Sequence, residues 1–171
     1  DMVLADSDGL AKIVTLFRET PELDHLQMVV HDWYSNSLIM GAHVFSNRVT
    51  WQFREENLFV DYPPVIPGVR WRLWDAPAPL VVHSPDPSPL QAFRFGVHRA
   101  LKALQPSRRV FHIDHSKVQW SILKKVWTHF VEAADRRLGL VLVGAEQVFS
   151  GTAKLAHYDR VGEDILERHY D

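Results

Sequence analysis

The stretch MVLADSDGLAKIVTLFR, residues 2–18, decides how the chain is read. An apolar run, Met2-Val3-Leu4-Ala5, ends in Asp6-Ser7-Asp8-Gly9 and passes directly into apolar residues at helical spacing. Val3 to Asp6 reads as a short buried strand. Leu10, Ile13, Val14 and Phe17 share one face of a 3.6-residue period, so a helix over residues 9–18 that buries this face is expected. Glu19-Thr20-Pro21 ends it, because the residue before a proline is biased away from helix. A strand turning through a polar loop into a helix is an α/β unit, and such folds gather ligand groups where strands end. Two carboxylates one residue apart at that point repel unless something neutralises them. A divalent cation with oxygen ligands would do so; an ordinary loop whose aspartates cap the following helix is the other reading. Spacing alone does not choose, since thirteen aspartates in 171 residues produce about one such pair by chance.

Outward from this stretch, the first half continues as strands and loops. Leu26 to Val30 is a second apolar strand, and Ser37 to Phe45, apolar with an internal glycine, favours strand or loop over helix. Residues 48–53, 69–74 and 79–83 alternate as strands do, and Trp51, Trp71 and Trp74 on them are expected in the core, the other reading being a carbohydrate platform. The proline-dense stretches 62–68 and 76–79 read as rigid connectors. The second half is helical. Ser88-Pro89-Leu90-Gln91 combines a Ser N-cap, a proline at the first helical position and a glutamine that completes a capping box. The helix it starts should reach about Leu104 and bury Leu90, Phe93, Val97, Leu101 and Leu104. A second helix is expected over residues 116–137, a third, apolar all round and so central, over 140–149, and a short last one over 160–170. The fold class is therefore α/β, a mixed sheet in residues 1–87 with a helical second half in 88–171, in one domain.

Composition sets bounds on function. With 171 residues, 46% hydrophobic and 23% charged, the chain has an ordinary globular composition and enough length to bury a core. A net charge of −2 gives no overall field pointing to nucleic acid or an anionic membrane. The absence of cysteine excludes a disulfide framework, a thiolate zinc site and a cysteine nucleophile, and fits a cytoplasmic protein. No apolar stretch approaches the ~20 residues needed to span a bilayer. With an apolar strand beginning at residue 2 and no initiator methionine, the chain is expected to be a fragment of a longer one.

Several later stretches carry chemistry. Val81-Val82-His83 closes an apolar strand before a proline loop; its imidazole suits Mn²⁺ beside carboxylates, or a backbone hydrogen bond in a turn. The capped helix from Ser88 offers free N–H groups and a favourable dipole end. Arg94, His98 and Lys102, with Arg99 flanking, form a stripe that could hold a pyrophosphate or simply face water. In His31-Asp32-Trp33-Tyr34 a carboxylate stands beside two aromatics: Asp32 suits a general base for a hydroxyl, and Trp33 suits stacking on a sugar ring. His112, Asp114 and His115 read as a helix start more than as a metal cluster. No phosphate-binding glycine loop and no Gly-x-Ser-x-Gly occurs, which disfavours P-loop and α/β-hydrolase chemistry.

Asp6-Ser7-Asp8-Gly9 at a strand end is similar to the opening of haloacid dehalogenase-type phosphatases, although Leu10 stands where threonine is usual and the later motifs are missing. It also resembles the Asp-x-Asp of metal-dependent glycosyltransferases of the GT-A type, and this resemblance extends further. Residues 33–47, WYSNSLIMGAHVFSN, look like that family's sugar and acceptor floor, and Val81-Val82-His83 looks like its late strand-terminal histidine. The resemblance implies a partial GT-A-like, Rossmann-related fold starting at the Asp-x-Asp strand. It implies Mn²⁺ or Mg²⁺ held by Asp6, Asp8 and His83 against the diphosphate of a nucleotide sugar. Arg94, His98 and Lys102 would assist the donor, Trp33, Asn36, Gly41 and His43 would line the sugar, and Asp32 would be the base. The acceptor would be a glycan or a lipid-linked sugar of polysaccharide biosynthesis. The alternatives are a phosphatase using Asp6 as nucleophile and a non-enzymatic binding or assembly domain.

Overall fold

A computed structural model describes residues 2–51, 64–65, 71–74, 78–104, 109–110 and 113–151. In chain order the elements are β1 (Met2–Leu4), α1 (Gly9–Glu19), β2 (His25–Asp32), β3 (Ser37–Phe45), β4 (Thr50–Trp51), β5 (Pro64–Val65), β6 (Trp71–Trp74), β7 (Val81–His83), α2 (Pro89–Leu104), β8 (Arg109–Val110), β9 (Ile113–Asp114), α3 (His115–Ala133) and α4 (Arg136–Phe149). This is a mixed α/β chain with four helices among the described residues. The helix expected over residues 160–170 and most of the connector at 62–68 lie outside them, as does the side chain of Trp71. The chain divides into two compact units. The strand-rich one runs to Trp33, resumes at Ser37 and closes at Pro85; the helical one takes in Tyr34–Asn36 and continues from Asp86.

The strand-rich unit is organised around β2. β3 pairs with one edge of it antiparallel, while β6 and then β7 follow each other along the other edge, both parallel to β2. β7 in turn pairs antiparallel with β1. Because strand side chains alternate between faces, Leu26, Met28 and Val30 of β2 point to one side, where all three are buried. There they join Ile13, Leu23, Ala42, Leu80 and Val81 in one apolar cluster. α1 meets this cluster through Ile13, with Leu16 and Phe17 partly buried beside it. Leu10 and Val14, expected on the buried face, are exposed instead. The contact runs one residue round the helix from the expected stripe, through Gly9, Ile13, Leu16 and Phe17.

The β2–β3 ladder slips by one residue between Gln27 and Val29. Gly41 lies in this irregular stretch, and a Cβ built there would come 2.5 Å from Val30 Cγ2. The residue type is thus required by packing. Trp51, expected in the core, is exposed.

In the helical unit, α2 begins as its sequence dictates. The Ser88 N–H donates to Gln91 Oε1 at 2.7 Å, and the Gln91 N–H donates back to Ser88 Oγ at 3.2 Å, a completed capping box. The buried face of α2 differs from the expected leucine stripe. Leu90 and Leu101 are only half-buried and Leu104 is exposed, while Ala92, Phe93, Gly96, Val97, Ala100 and Ala103 are buried. The reason is the close approach of α4. A Cβ on Gly96 would sit 1.8 Å from the Val141 carbonyl oxygen, and one on Gly144 would sit 2.2 Å from the Phe93 carbonyl oxygen. Small residues let two backbones meet where leucines would hold them apart.

The helix expected over residues 116–137 is interrupted. Ala134 takes a positive φ of 51°. Asp135 is extended and accepts the Arg137 N–H at 2.8 Å, so it N-caps α4. α4 therefore starts at Arg136, four residues before the expected Leu140. Arg137 also reaches Asp86 at 2.6 Å and the Pro87 carbonyl. Its guanidinium holds the Asp135 carboxyl below the usual range.

Candidate functional site

The alternation that buries Leu26, Met28 and Val30 also carries Asp32, two residues on, to the same face of β2. Asp32 is therefore the terminal residue of a core face and is 0% exposed. A carboxylate taken out of water costs several kcal/mol unless it is bonded and paired. The partner comes from β7. In the parallel β2–β7 register Asp32 stands opposite His83, and on β7 His83 shares a face with the buried Val81. Asp32 Oδ1 and His83 Nδ1 are 2.7 Å apart. The strand contact is closed by the Trp33 N–H, which donates to the His83 carbonyl at 3.2 Å.

With Asp32 ionised, His83 Nδ1 carries the proton that it donates to the carboxylate. This fixes the tautomer and the orientation of the ring. A histidine braced in this way is the usual form of a general base acting on a hydroxyl. The next residue, Ser84, has a φ of 49° and is 3% exposed. Its hydroxyl is buried without a hydrogen-bond partner among the described residues. Backbone strain and an orphaned buried hydroxyl thus fall immediately after the braced histidine, a combination that accumulates at functional sites.

The Asp-x-Asp pair has different surroundings. Asp6 forms an ion pair with Lys12 of α1, and its Oδ1 accepts the Asp8 N–H at 3.0 Å. Lys12 Nζ is 4.0 Å from Asp8, whose Oδ1 accepts the Ser7 hydroxyl at 3.1 Å. The lysine holds the Asp6 carboxyl below its ordinary range, and the carboxylate raises Lys12 in turn. Both carboxylates are well exposed. An all-oxygen donor pair suits Mg²⁺ or Mn²⁺, with Lys12 standing where such a cation would supply the counter-charge.

The structure brings His83 to Asp32 and not to Asp6 and Asp8. Its antiparallel partner on β1 is Met2, and β1 runs from there away from His83, with Leu4 opposite Val81, before the chain bends into Asp6. Among the described residues no group of three or more His, Cys, Asp or Glu side chains could hold a metal ion.

The remaining candidate residues are distributed as follows. Trp33 is half-buried beside Asp32, and Asn36 is exposed at a φ of 43° in the turn between β2 and β3. Gly41 packs on Val30. His43 Nδ1 lies 2.8 Å from His25 Nε2, and the His25 ring stacks on Phe45 with centroids 4.5 Å apart. Burial, with the neighbouring His43, pushes His25 down to about 4. Arg94, His98 and Lys102 of α2 belong to the helical unit and are half-buried, so they do not form a fully solvated face.

Two features escape a reading of the sequence. One is the pairing of Asp32 with His83, 51 residues apart. The other is Ser84, whose only sequence signal is its place between a strand-end histidine and Pro85. No family model, no characterised protein and no solved structure matches this chain.

Proposed function

We propose that this chain contributes to a metal-dependent, nucleotide-sugar glycosyltransferase in which His83, braced by Asp32, removes the proton from an acceptor hydroxyl. The observation that carries this reading is the 2.7 Å bond between His83 Nδ1 and the fully buried Asp32 carboxylate. The reading exchanges the roles suggested by the residues one at a time: His83 becomes the base and Asp32 its positioning residue. Trp33 adjoins the pair and would contact the acceptor, while Ser84 adjoins it from within the fold. Asp6 and Asp8, at the loop that follows β1, would hold Mn²⁺ or Mg²⁺. When bound, the cation supplies neutralisation of the leaving diphosphate. The resemblance of the Asp-x-Asp opening and of residues 33–47 to the GT-A type supports the choice of glycosyl transfer among hydroxyl chemistries.

Two measurements test it. Calorimetric titration with Mn²⁺ should show binding that Asp8→Asn weakens at least tenfold; equal affinity in both proteins removes the cation from the proposal. Nucleotide release from a panel of nucleotide sugars, with glycan and lipid-linked acceptors, should fall by roughly 10²–10⁴ in His83→Gln, the usual contribution of a general base. An activity unchanged by His83→Gln would refute the assigned base. Release of phosphate from simple phosphomonoesters, lost in Asp6→Asn, would instead favour the phosphatase reading.

A further inference from the structure

The inner face of α3 is satisfied, with Ile122, Leu123 and Val126 buried. Its outer face is not what a water-facing helix requires. Trp120, Trp127 and Val131 are 48%, 57% and 63% exposed. At about 100° per residue, positions i, i+7 and i+11 form a single stripe. The stripe is widened by Phe149 of α4, itself 41% exposed, whose ring stacks on Trp120 at 4.8 Å with an interplanar angle of 8°. Lys124 lies within the stripe, four residues after one tryptophan and three before the other, and Lys117 precedes it by two turns. The one carboxylate of α3, Glu132, sits about 110° away around the helix axis. On α4, Glu146 lies one turn before Phe149 and accepts the Gln147 side-chain amide at 2.8 Å.

From the exposed Trp120–Trp127–Val131 stripe with Lys124 inside it, we propose that α3 docks on an anionic lipid surface. Tryptophan is the side chain best suited to the headgroup boundary, because its ring is apolar while its N–H remains hydrogen-bonded to water or headgroups. Lysines within and beside an aromatic stripe add attraction to anionic lipid. A second copy of this chain is a poorer occupant, since two-fold pairing of the stripe would set Lys124 against its own equivalent with no carboxylate in the stripe to meet it. The helix lies on the surface and does not cross it, because no helix among the described residues is long and apolar enough to span a membrane. The overall charge of −2 conceals this face, because Lys124 and Lys117 lie within or beside the stripe whereas Glu132 is turned away from it.

Co-flotation of the intact chain with vesicles tests the proposal. Binding should be clear on vesicles containing roughly one-third phosphatidylglycerol and weak on pure phosphatidylcholine. The double substitution Trp120→Ser/Trp127→Ser should lower partitioning on both lipids by roughly tenfold or more. Lys124→Glu should lower it about fivefold or more on the anionic vesicles only. These side chains are exposed, so circular dichroism and thermal midpoints should stay near those of the parent, which separates lost docking from lost folding. Absence of binding by the parent chain to anionic vesicles overturns the proposal, as does equal binding by all three proteins. A dimer in light scattering that Trp127→Ser converts to monomer, without vesicle binding, would assign the stripe to self-association instead.

Discussion

The strand-rich unit and the helical unit solve packing in opposite ways. In the first, parity along β2 determines what is buried, and parity takes no account of polarity: the face that buries Leu26, Met28 and Val30 buries Asp32 as well. The resulting charge problem is solved by register, which brings His83 opposite. In the second, the decisive contact between α2 and α4 is made by missing side chains, with Gly96 and Gly144 each against the other helix's backbone. A sheet core can tolerate a polar pair because neighbouring strands supply a partner at a defined position. A close helix crossing tolerates very little, because what faces each glycine is main chain that cannot move aside.

The largest expected effect breaks the pair in the sheet. His83→Ala should leave the Asp32 carboxylate buried without its imidazole and cost roughly 3–5 kcal/mol, measured by urea unfolding. His83→Ala/Asp32→Asn together should cost less than the sum of the two single changes, because the pair acts as one unit. Additive costs would show that the two side chains are not coupled. On the helical side, Gly96→Ala should force α2 and α4 apart and cost about 1–3 kcal/mol, whereas Ala in place of Gly151, where a Cβ would meet nothing within 4 Å, involves no clash but has to accept a φ of 77°.

His25 is held near 4 in the fold against about 6.5 in an unfolded chain. Between those values the unfolded state binds the proton and the folded state does not, so stability is full above pH 6.5 and declines as pH falls towards 4. The loss should amount to at most roughly 3 kcal/mol. Replacing His25 by Phe should flatten this part of the stability profile, and an unchanged slope would remove His25 as its cause. The smallest effect has the opposite sign. Ser84→Gly relieves a φ of 49° and removes an unpartnered buried hydroxyl, so it should stabilise by roughly 1 kcal/mol. A loss of the proposed transfer activity in that more stable variant would tie the strain to function.

Much of the local structure was legible from residues alone. Ser88, Pro89 and Gln91 predicted the start of α2, and both of the reciprocal hydrogen bonds are present. The strands at 26–30 and 37–45 were visible in their apolar patterns, and Asp32 and His83 each stood out as chemistry-bearing. The buried faces of α1 and α2 were legible only in part. Helical periodicity identifies a set of apolar positions, but the partner selects among them: α1 turns Leu10 outwards, and α2 presents alanines and glycine to α4 because that allows closer contact. The signal was present in Ala92, Gly96, Ala100 and Ala103 at helical spacing, yet larger side chains dominate any count of hydrophobicity.

The strands at 26–30 and 37–45 and the capping of α2 could thus be read from residues alone, since these depend on interactions within a few positions of the chain, whereas the break at Ala134 and the short strand Pro64–Val65 could not. The pairing of Asp32 with His83, the place of His83 opposite Met2 and away from Asp6, and the glycine contact between α2 and α4 came from tertiary packing. Each of these depends on strand register or helix approach between segments tens of residues apart, and no local pattern encodes such a distance.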